Sequence, residues 1–407
     1  MKVRFDLGAA ARTLFFALLP WLSTVAVLGV SAFLSVAGYL SLRPSLVRQV
    51  VEKRPLPLLL LLAFAGWATL SCLWSIYPDH IQALKLWLTL AGGLSFAAAA
   101  SFDRSARRLT SAAGLAAVLV LAALLGVEAL AGRPISHALH PEMVITDIDR
   151  TTGRATSVLV LMSWAGAAGL IGWGGATIAR IAGAVSVLLI GGLVSLQFGE
   201  LANAVAFGVG AIVFALAFLG PRLAVLGVSG GLAGWMLIAP FATPWLLSDP
   251  RIFAALPLSG AARVVIWRYV AGRIPEDFWF GHGLDASRTA PQLLPVREGY
   301  SVAAIPLHPH SASMQVWFET GAVGAVLAAA LLLAGGWAIS RLLVNRAQAA
   351  AAAATIAAAG VIGNLSYGIW QEWWDAALFL AAALVAAAAP GKPASTTSTV
   401  DFEPRRS

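Results

Sequence analysis

Residues 13–40 read TLFFALLPWLSTVAVLGVSAFLSVAGYL, an apolar run of 28 residues set between Arg12 and Arg43. A helix needs about 20 apolar residues to cross a bilayer, so the run is long for one crossing and short for two. Pro20, Gly29 and Gly38 lie inside it. Ten more apolar runs follow, near 56–74, 82–101, 110–131, 155–173, 176–197, 202–219, 222–241, 316–340, 349–369 and 375–389. They are continuous rather than alternating, which excludes barrel strands. Of 407 residues, 59% are hydrophobic and 11% charged, against about 25% charged in a soluble domain. The fold class is all-α: a polytopic integral membrane protein.

Orientation follows from Lys and Arg between the runs. Segments 1–12, 41–55 and 102–109, together with Arg180, Arg222, Arg341, Arg346, Lys392, Arg405 and Arg406, hold 17 of the 27 basic residues. The alternate short segments 75–81, 198–201 and 370–374 hold none. The basic side is therefore expected to be cytoplasmic. Both flanks of 13–40 are basic, so that run must cross an even number of times, as two short helices meeting near Gly29. The expectation is about twelve crossings in one membrane domain, 1–389, with loops 132–154 and 242–315 on the exported side. The tail 390–407 is polar and expected to be a disordered cytoplasmic end. The net charge of +8 then reports cytoplasmic anchoring and calls for no nucleic acid. Cys72 is the single cysteine, so there is neither a disulfide framework nor a thiol metal cluster. The first run has no small-residue cleavage site, which argues against a cleaved signal.

Loop 242–315 has 74 residues, too many for a passive connector. It is expected to form a helix over 260–274 and a Gly-rich turn, GHGLD, at 281–285. Arg251, Arg263, Arg268, Arg273, Arg288 and Arg297 break the positive-inside pattern. Arginines kept on the exported side point to an anionic ligand, with contact to phospholipid headgroups as the plain alternative. The loop ends in LHPHSASMQVWFETGAVG, residues 307–324. There two histidines, small polar residues and a carboxylate meet the start of a membrane helix, where ionisable groups are costly and mark function.

This last stretch resembles the O-antigen ligase and polymerase superfamily. His310, Ser311, nine residues, then Gly321 and Gly324 match its His-motif. LSCLWSIYPDHIQAL at 70–84 is similar to its early Ser-x-x-Trp-Ser-x-x-Pro segment, and Arg263, Trp267, Gly281 and Gly283 fit its Arg-x-x-x-Trp and Gly-x-Gly segment. The resemblance spans roughly residues 13–389. The resemblance implies glycosyl transfer on the periplasmic face, from an undecaprenyl-diphosphate-linked glycan donor to a glycolipid or glycan acceptor. A ligase uses the lipid A–core; a polymerase uses another lipid-linked repeat. Neither nucleotide nor metal is implied, and no cofactor. The family also carries a Ser-Arg pair at the exported end of a middle helix; here the region reads SLQFGELANAV, 195–205, with Glu200 near the arginine position. The second anchoring cation then falls to Arg150 or Arg154.

His310 is the candidate general base for the acceptor hydroxyl, because an imidazole titrates in the useful range. Arg263, with Arg154 and Arg150, is the candidate diphosphate site, since a guanidinium grips phosphate oxygens in pairs and stays charged. Arg263 and Trp267, four apart, share a helix face, so Trp267 is placed as a sugar platform. Glu319 and Ser311 are placed at the acceptor, with Ser311 and Ser313 also able to cap a helix. Gly321 and Gly324 are read as structural, letting another helix approach closely. Trp370, Trp373 and Trp374 read as an interfacial belt, and Glu128 and Lys85 as groups reaching the interface. A lipid-linked-anion transporter is disfavoured by the lack of internal repeats, and a purely structural subunit leaves the exported arginines unexplained. Membrane lipids are the remaining partner.

Overall fold

The computed structural model describes residues 6–53, 55–77, 80–103, 106–172, 176–342 and 345–388. The tail expected over 390–407 lies outside the described residues, as do Lys2, Arg4, Arg54, Pro78 and Arg104. Among the described residues nine helices are long and apolar enough to cross a membrane: Leu7–Val25, Leu56–Leu73, Ile81–Phe102, Arg107–Leu130, Ile145–Gly172, Thr177–Ser195, Pro221–Leu246, Ala312–Leu342 and Arg346–Leu365. Shorter apolar helices, Val30–Leu40, Leu201–Ala217 and Glu372–Ala387, fall on the remaining runs. The chain is a helical multi-pass protein.

The 13–40 run breaks where it had to. Ala26 leaves helical geometry at φ −149°, and Val27–Gly29 forms a single 3₁₀ turn before the second helix. The two helices fold back on each other: Ser41 Oγ donates to the Gly8 carbonyl at 3.3 Å, and Arg12 Nη1 donates to Ser41 Oγ at 3.1 Å. Both ends of the run therefore meet at one end of the bundle. Other basic segments gather there. Arg12 Nη2 pairs with Asp103 at 2.8 Å and Arg43 pairs with Asp6. Arg180 and Arg346 donate to the carbonyls of Ile171 and Phe218 at 3.1 and 3.2 Å. Those carbonyls end helices, where the backbone is left without partners and the dipole favours a cation.

Helix Ile145–Gly172 forms the centre, with 83% of its most apolar window buried. Helices Arg107–Leu130, Thr177–Ser195, Arg346–Leu365 and Glu372–Ala387 pack round it. Ala349 through Ala354 are all buried. Side chains this small let backbones approach closely, which is how helices associate when lipid is as apolar as leucine.

Two groups read as interfacial are in fact internal. Glu128 is fully buried and accepts from Ile135 N at 2.8 Å and from Ser136 Oγ, so it closes the turn into helix Pro134–Leu139. Trp370, Trp373 and Trp374 are 5%, 1% and 3% exposed. The 366–371 segment folds back over the bundle, stacking Trp370 on Phe64 at 5.6 Å and setting Tyr367 edge-on to Trp373 at 4.6 Å. Lys85 pairs with Glu372 at 3.3 Å.

The 242–315 segment holds helices Pro250–Ala255 and Leu258–Arg273 and a hairpin, Leu293–Arg297 with Tyr300–Ala303. The hairpin turns at Glu298–Gly299, with Gly299 at φ 73°. Pro295 obscures the first strand in the sequence; a two-stranded ribbon tolerates it because each strand is an edge. Most of the segment's arginines serve the fold. Arg268 donates to Leu247 O and Arg297 to the carbonyls of Phe253, Ala254 and Leu256, all at helix ends. Arg273 pairs with Glu276 at 2.7 Å and Arg288 with Asp285 at 2.6 Å.

Candidate active site

The three sequence segments of the family resemblance form one knot. Gly321 has φ 65° and ψ −166°, which breaks the Ala312–Leu342 helix into two. Only glycine adopts that geometry without strain. Residues 278–283 enter the break. His282 N and Gly283 N donate to the freed carbonyls of Phe318 and Glu319 at 2.8 and 2.9 Å, and Ala322 N donates to Phe278 O at 2.8 Å. Trp67 and the 70–84 segment pin the break and its insert from outside. Trp67 Nε1 donates to Thr320 O at 2.9 Å, Trp74 Nε1 to Gly281 O at 3.0 Å, and Ser75 Oγ to Leu284 O at 2.7 Å. The expectation that Gly321 admits another helix thus changes: it admits a loop. A Cβ at Gly324 would meet Thr320, its own helix, at 2.4 Å or less.

Glu319 also departs from its expected place at the acceptor. It is fully buried, and both oxygens are taken. Oε1 accepts from Ser287 Oγ at 2.5 Å and Gln315 Nε2 at 3.1 Å; Oε2 accepts from Asp285 N at 2.9 Å and Trp370 Nε1 at 2.5 Å. Gln315 Oε1 in turn accepts from Ile369 N at 2.9 Å. Glu319 ties the inserted loop to the 366–371 segment, and that segment holds His310.

His310 stands in the left-handed region at φ 55°, just before the helix. Its Nδ1 lies 2.7 Å from Ser366 O. A carbonyl only accepts, so Nδ1 carries the proton and Nε2 keeps its lone pair. His310 N donates to His308 Nδ1 at 3.2 Å, and the two rings meet edge to face at 4.5 Å. Burial pushes His310 down to about 4; the Ser366 bond opposes this and the Arg263 charge adds to it. His308 is pushed down to about 3 by burial and then by the charges of His310, Arg288, Arg154 and Arg263. Both imidazoles are neutral at ordinary pH, the state a base requires. Ser311 caps the helix: Met314 N donates to its Oγ at 3.4 Å, while Asn364 Oδ1 accepts from Ser313 N at 3.2 Å. Trp267 Nε1 donates to Pro309 O at 2.9 Å, so the indole edge props the histidine turn and is not free for a sugar.

Arg263 acts electrostatically on both histidines and on Tyr367, and Arg154 on His308 and Tyr367. Arg263 makes one long bond, Nη1 to Ser259 O at 3.3 Å, and its Nε is buried without a partner. Arg154 makes no hydrogen bond or ion pair among the described residues. Arg150 lies one turn nearer the helix start, is 69% exposed and is paired with Asp147 at 2.6 Å, apart from the two. Tyr367, Ser366, Asn364 and Asn203 complete the site, and none was foreseen. Ser157 Oγ contacts Asn203 Oδ1 at 2.7 Å and Tyr367 Oη at 3.0 Å. Burial holds the Tyr367 phenol above its usual range, so it stays protonated. A polar run, Asn364, Ser366 and Tyr367, inside the apolar stretch 349–369 was the available signal.

Two apolar cavities border the turn. One, of about 390 Å³, is lined by Val205, Leu232, Trp235, Leu246, Trp267 and Ser311. The other, of about 360 Å³, is lined by Leu61, Phe64, Leu90, Ser313 and Trp374, and the two share Leu232, Gly360 and Asn364.

No protein-family profile matches the chain. Among curated proteins it is 31% identical over 182 residues to a Rickettsia conorii protein named "putative polysaccharide ligase", 43% of this chain and 44% of that one. A protein of the same name from Rickettsia typhi matches equally, and one from Rickettsia bellii is 30% identical over 185 residues. The match thus spans less than half the length of these relatives. The likeness agrees with the resemblance read from the His310 motif.

Proposed function

We propose that the chain is a ligase-type glycosyltransferase acting at the exported face of the inner membrane. The observation that carries this is an imidazole whose Nδ1 is held by Ser366 O, near two guanidiniums that form no ion pair among the described residues. In this reading a polyprenyl chain lies in the cavity beside Ser311, and its diphosphate lies between Arg154 and Arg263. Arg150 adds to the positive field from one turn further out. His310 Nε2 takes the proton of an acceptor hydroxyl as its oxygen attacks the anomeric carbon of the donor. The bond from that carbon to the diphosphate breaks, and the arginines hold the departing charge. The relatives' name and the nine membrane-length apolar helices among the described residues are consistent with this role, and the count of twelve crossings is part of the proposal.

Transfer by purified protein from an undecaprenyl-diphosphate-linked oligosaccharide tests it. His310→Gln can orient a hydroxyl but not take its proton, so turnover should fall roughly 10²–10⁴-fold with donor binding kept. Arg263→Lys should lose most activity, since a point charge cannot reproduce a paired contact. Full turnover by His310→Gln would refute the base role.

A further inference from the structure

We propose that Glu200 reads the acceptor: this subsite takes a sugar presenting neutral hydroxyls or an amine, and disfavours one bearing a phosphate. The proposal rests on the donor reading above, which makes Arg154 and Arg263 the anion side of the site. Glu200 is the residue before helix Leu201–Ala217, and its side chain lies over the bare backbone of Gly153. A Cβ at Gly153 would be 2.6 Å from Glu200 Cγ, so the Glu200 side chain packs directly on the backbone of the residue before Arg154. Asn203, one turn on, fixes this approach by donating to Gly153 O at 2.9 Å.

The carboxylate is not consumed by the local fold. It makes no capping bond to its own helix, and no hydrogen bond or ion pair among the described residues. It is partly exposed, and its charge acts on Arg263 and Tyr367. A diphosphate and a carboxylate repel, so the donor must keep to the arginine side. Glu200 is left facing the other reactant, the one that yields its proton to His310. A carboxylate has about four lone-pair sites for hydroxyl or ammonium donors and none to offer a phosphate. A phosphorylated sugar would meet two anions, Glu200 and the bound donor.

Three short-chain probes separate these cases: octyl glucoside, its 2-amino analogue and its 6-phosphate. Their binding to the full chain in nanodiscs of zwitterionic lipid is read by tryptophan fluorescence. The amine should bind tightest and the phosphate weakest, with about a tenfold spread, the scale of one charge-assisted hydrogen bond. Glu200→Gln should bring the three within about twofold, and Glu200→Lys should reverse the order. Neither variant removes a cap bond, so both should fold. An unchanged order in Glu200→Gln overturns the proposal. Inorganic pyrophosphate, titrated into the same samples and into Arg263→Ala, tests the donor reading separately. Absent pyrophosphate binding with a Glu200-dependent order would sink that reading alone.

Discussion

Replacing Gly321 by alanine should be among the most damaging single changes in this chain. The added Cβ would lie 2.4 Å from Trp279 O, 2.5 Å from Trp279 C and 2.6 Å from Gly281 N, where ordinary contacts are 3.4–4 Å. These are backbone atoms, so the inserted loop must retreat by about 1 Å. It is held by bonds of 2.8–3.3 Å at His282, Gly283, Ala322 and Val323. Losing two of them costs about 1–3 kcal/mol, and the backbone geometry costs alanine about 1–3 kcal/mol more, so about 2–6 kcal/mol in all. At about 2 °C per kcal/mol for a chain this large, melting should fall by at least about 4 °C. The assay is thermal unfolding in detergent, with the monomer yield after size exclusion as a second reading. Gly281→Ala should behave alike, since its Cβ would be 2.5 Å from Glu319 C at φ 71°, and the double variant should be less than additive. Gly66→Ala meets nothing within 4 Å and serves as the control. If Gly321→Ala melts within a degree of Gly66→Ala, the break is not what the glycine is for.

Two further outcomes concern the catalytic turn. Trp267→Phe keeps the ring but removes the N–H from Pro309 O; turnover should drop about tenfold with melting shifted little, and an unaffected kcat would discard the prop. The pH profile of kcat/KM should stay flat to about pH 5 and fall below it. The sign follows from burial depressing His310 to about 4: the neutral base persists above that value and is lost as pH falls through it. An acid limb near 6.5 would mean the imidazole is solvated in the free enzyme.

The membrane frame was legible because lipid forces every crossing backbone to satisfy itself, so apolar runs and helices coincide. Charge placement alone located the break near Gly29, where Pro20 misleads: it sits inside an unbroken helix. His310 and Arg263 stood out in the sequence, and the structure brings the Arg263 charge to bear on His310. Gly321 was not legible, because a helix break and a close helix crossing are spelled with the same Gly-x-x-Gly. What distinguishes them is a loop some forty residues upstream. Glu319 looks interfacial by position, and only its donors from 285–287 and 370 reveal it as internal. Ser366 holds His310 through a backbone carbonyl, which no side-chain motif can encode.

The knot at Gly321 also sets the order in which the chain can mature. Trp67 bonds a carbonyl 253 residues later, and Ser71 bonds an amide 213 residues later. At about 5–20 residues per second, the early helix waits on the order of tens of seconds for its partners to leave the ribosome. Throughout that interval the Trp67 and Trp74 indole N–H groups stand ready without the carbonyls they later bond. Contacts of such sequence separation form slowly, so the reaction centre should be the last part to assemble. A chain stalled before Gly321 would be inserted but inert, its early segment available to quality-control proteases until the helix break arrives to receive the loop.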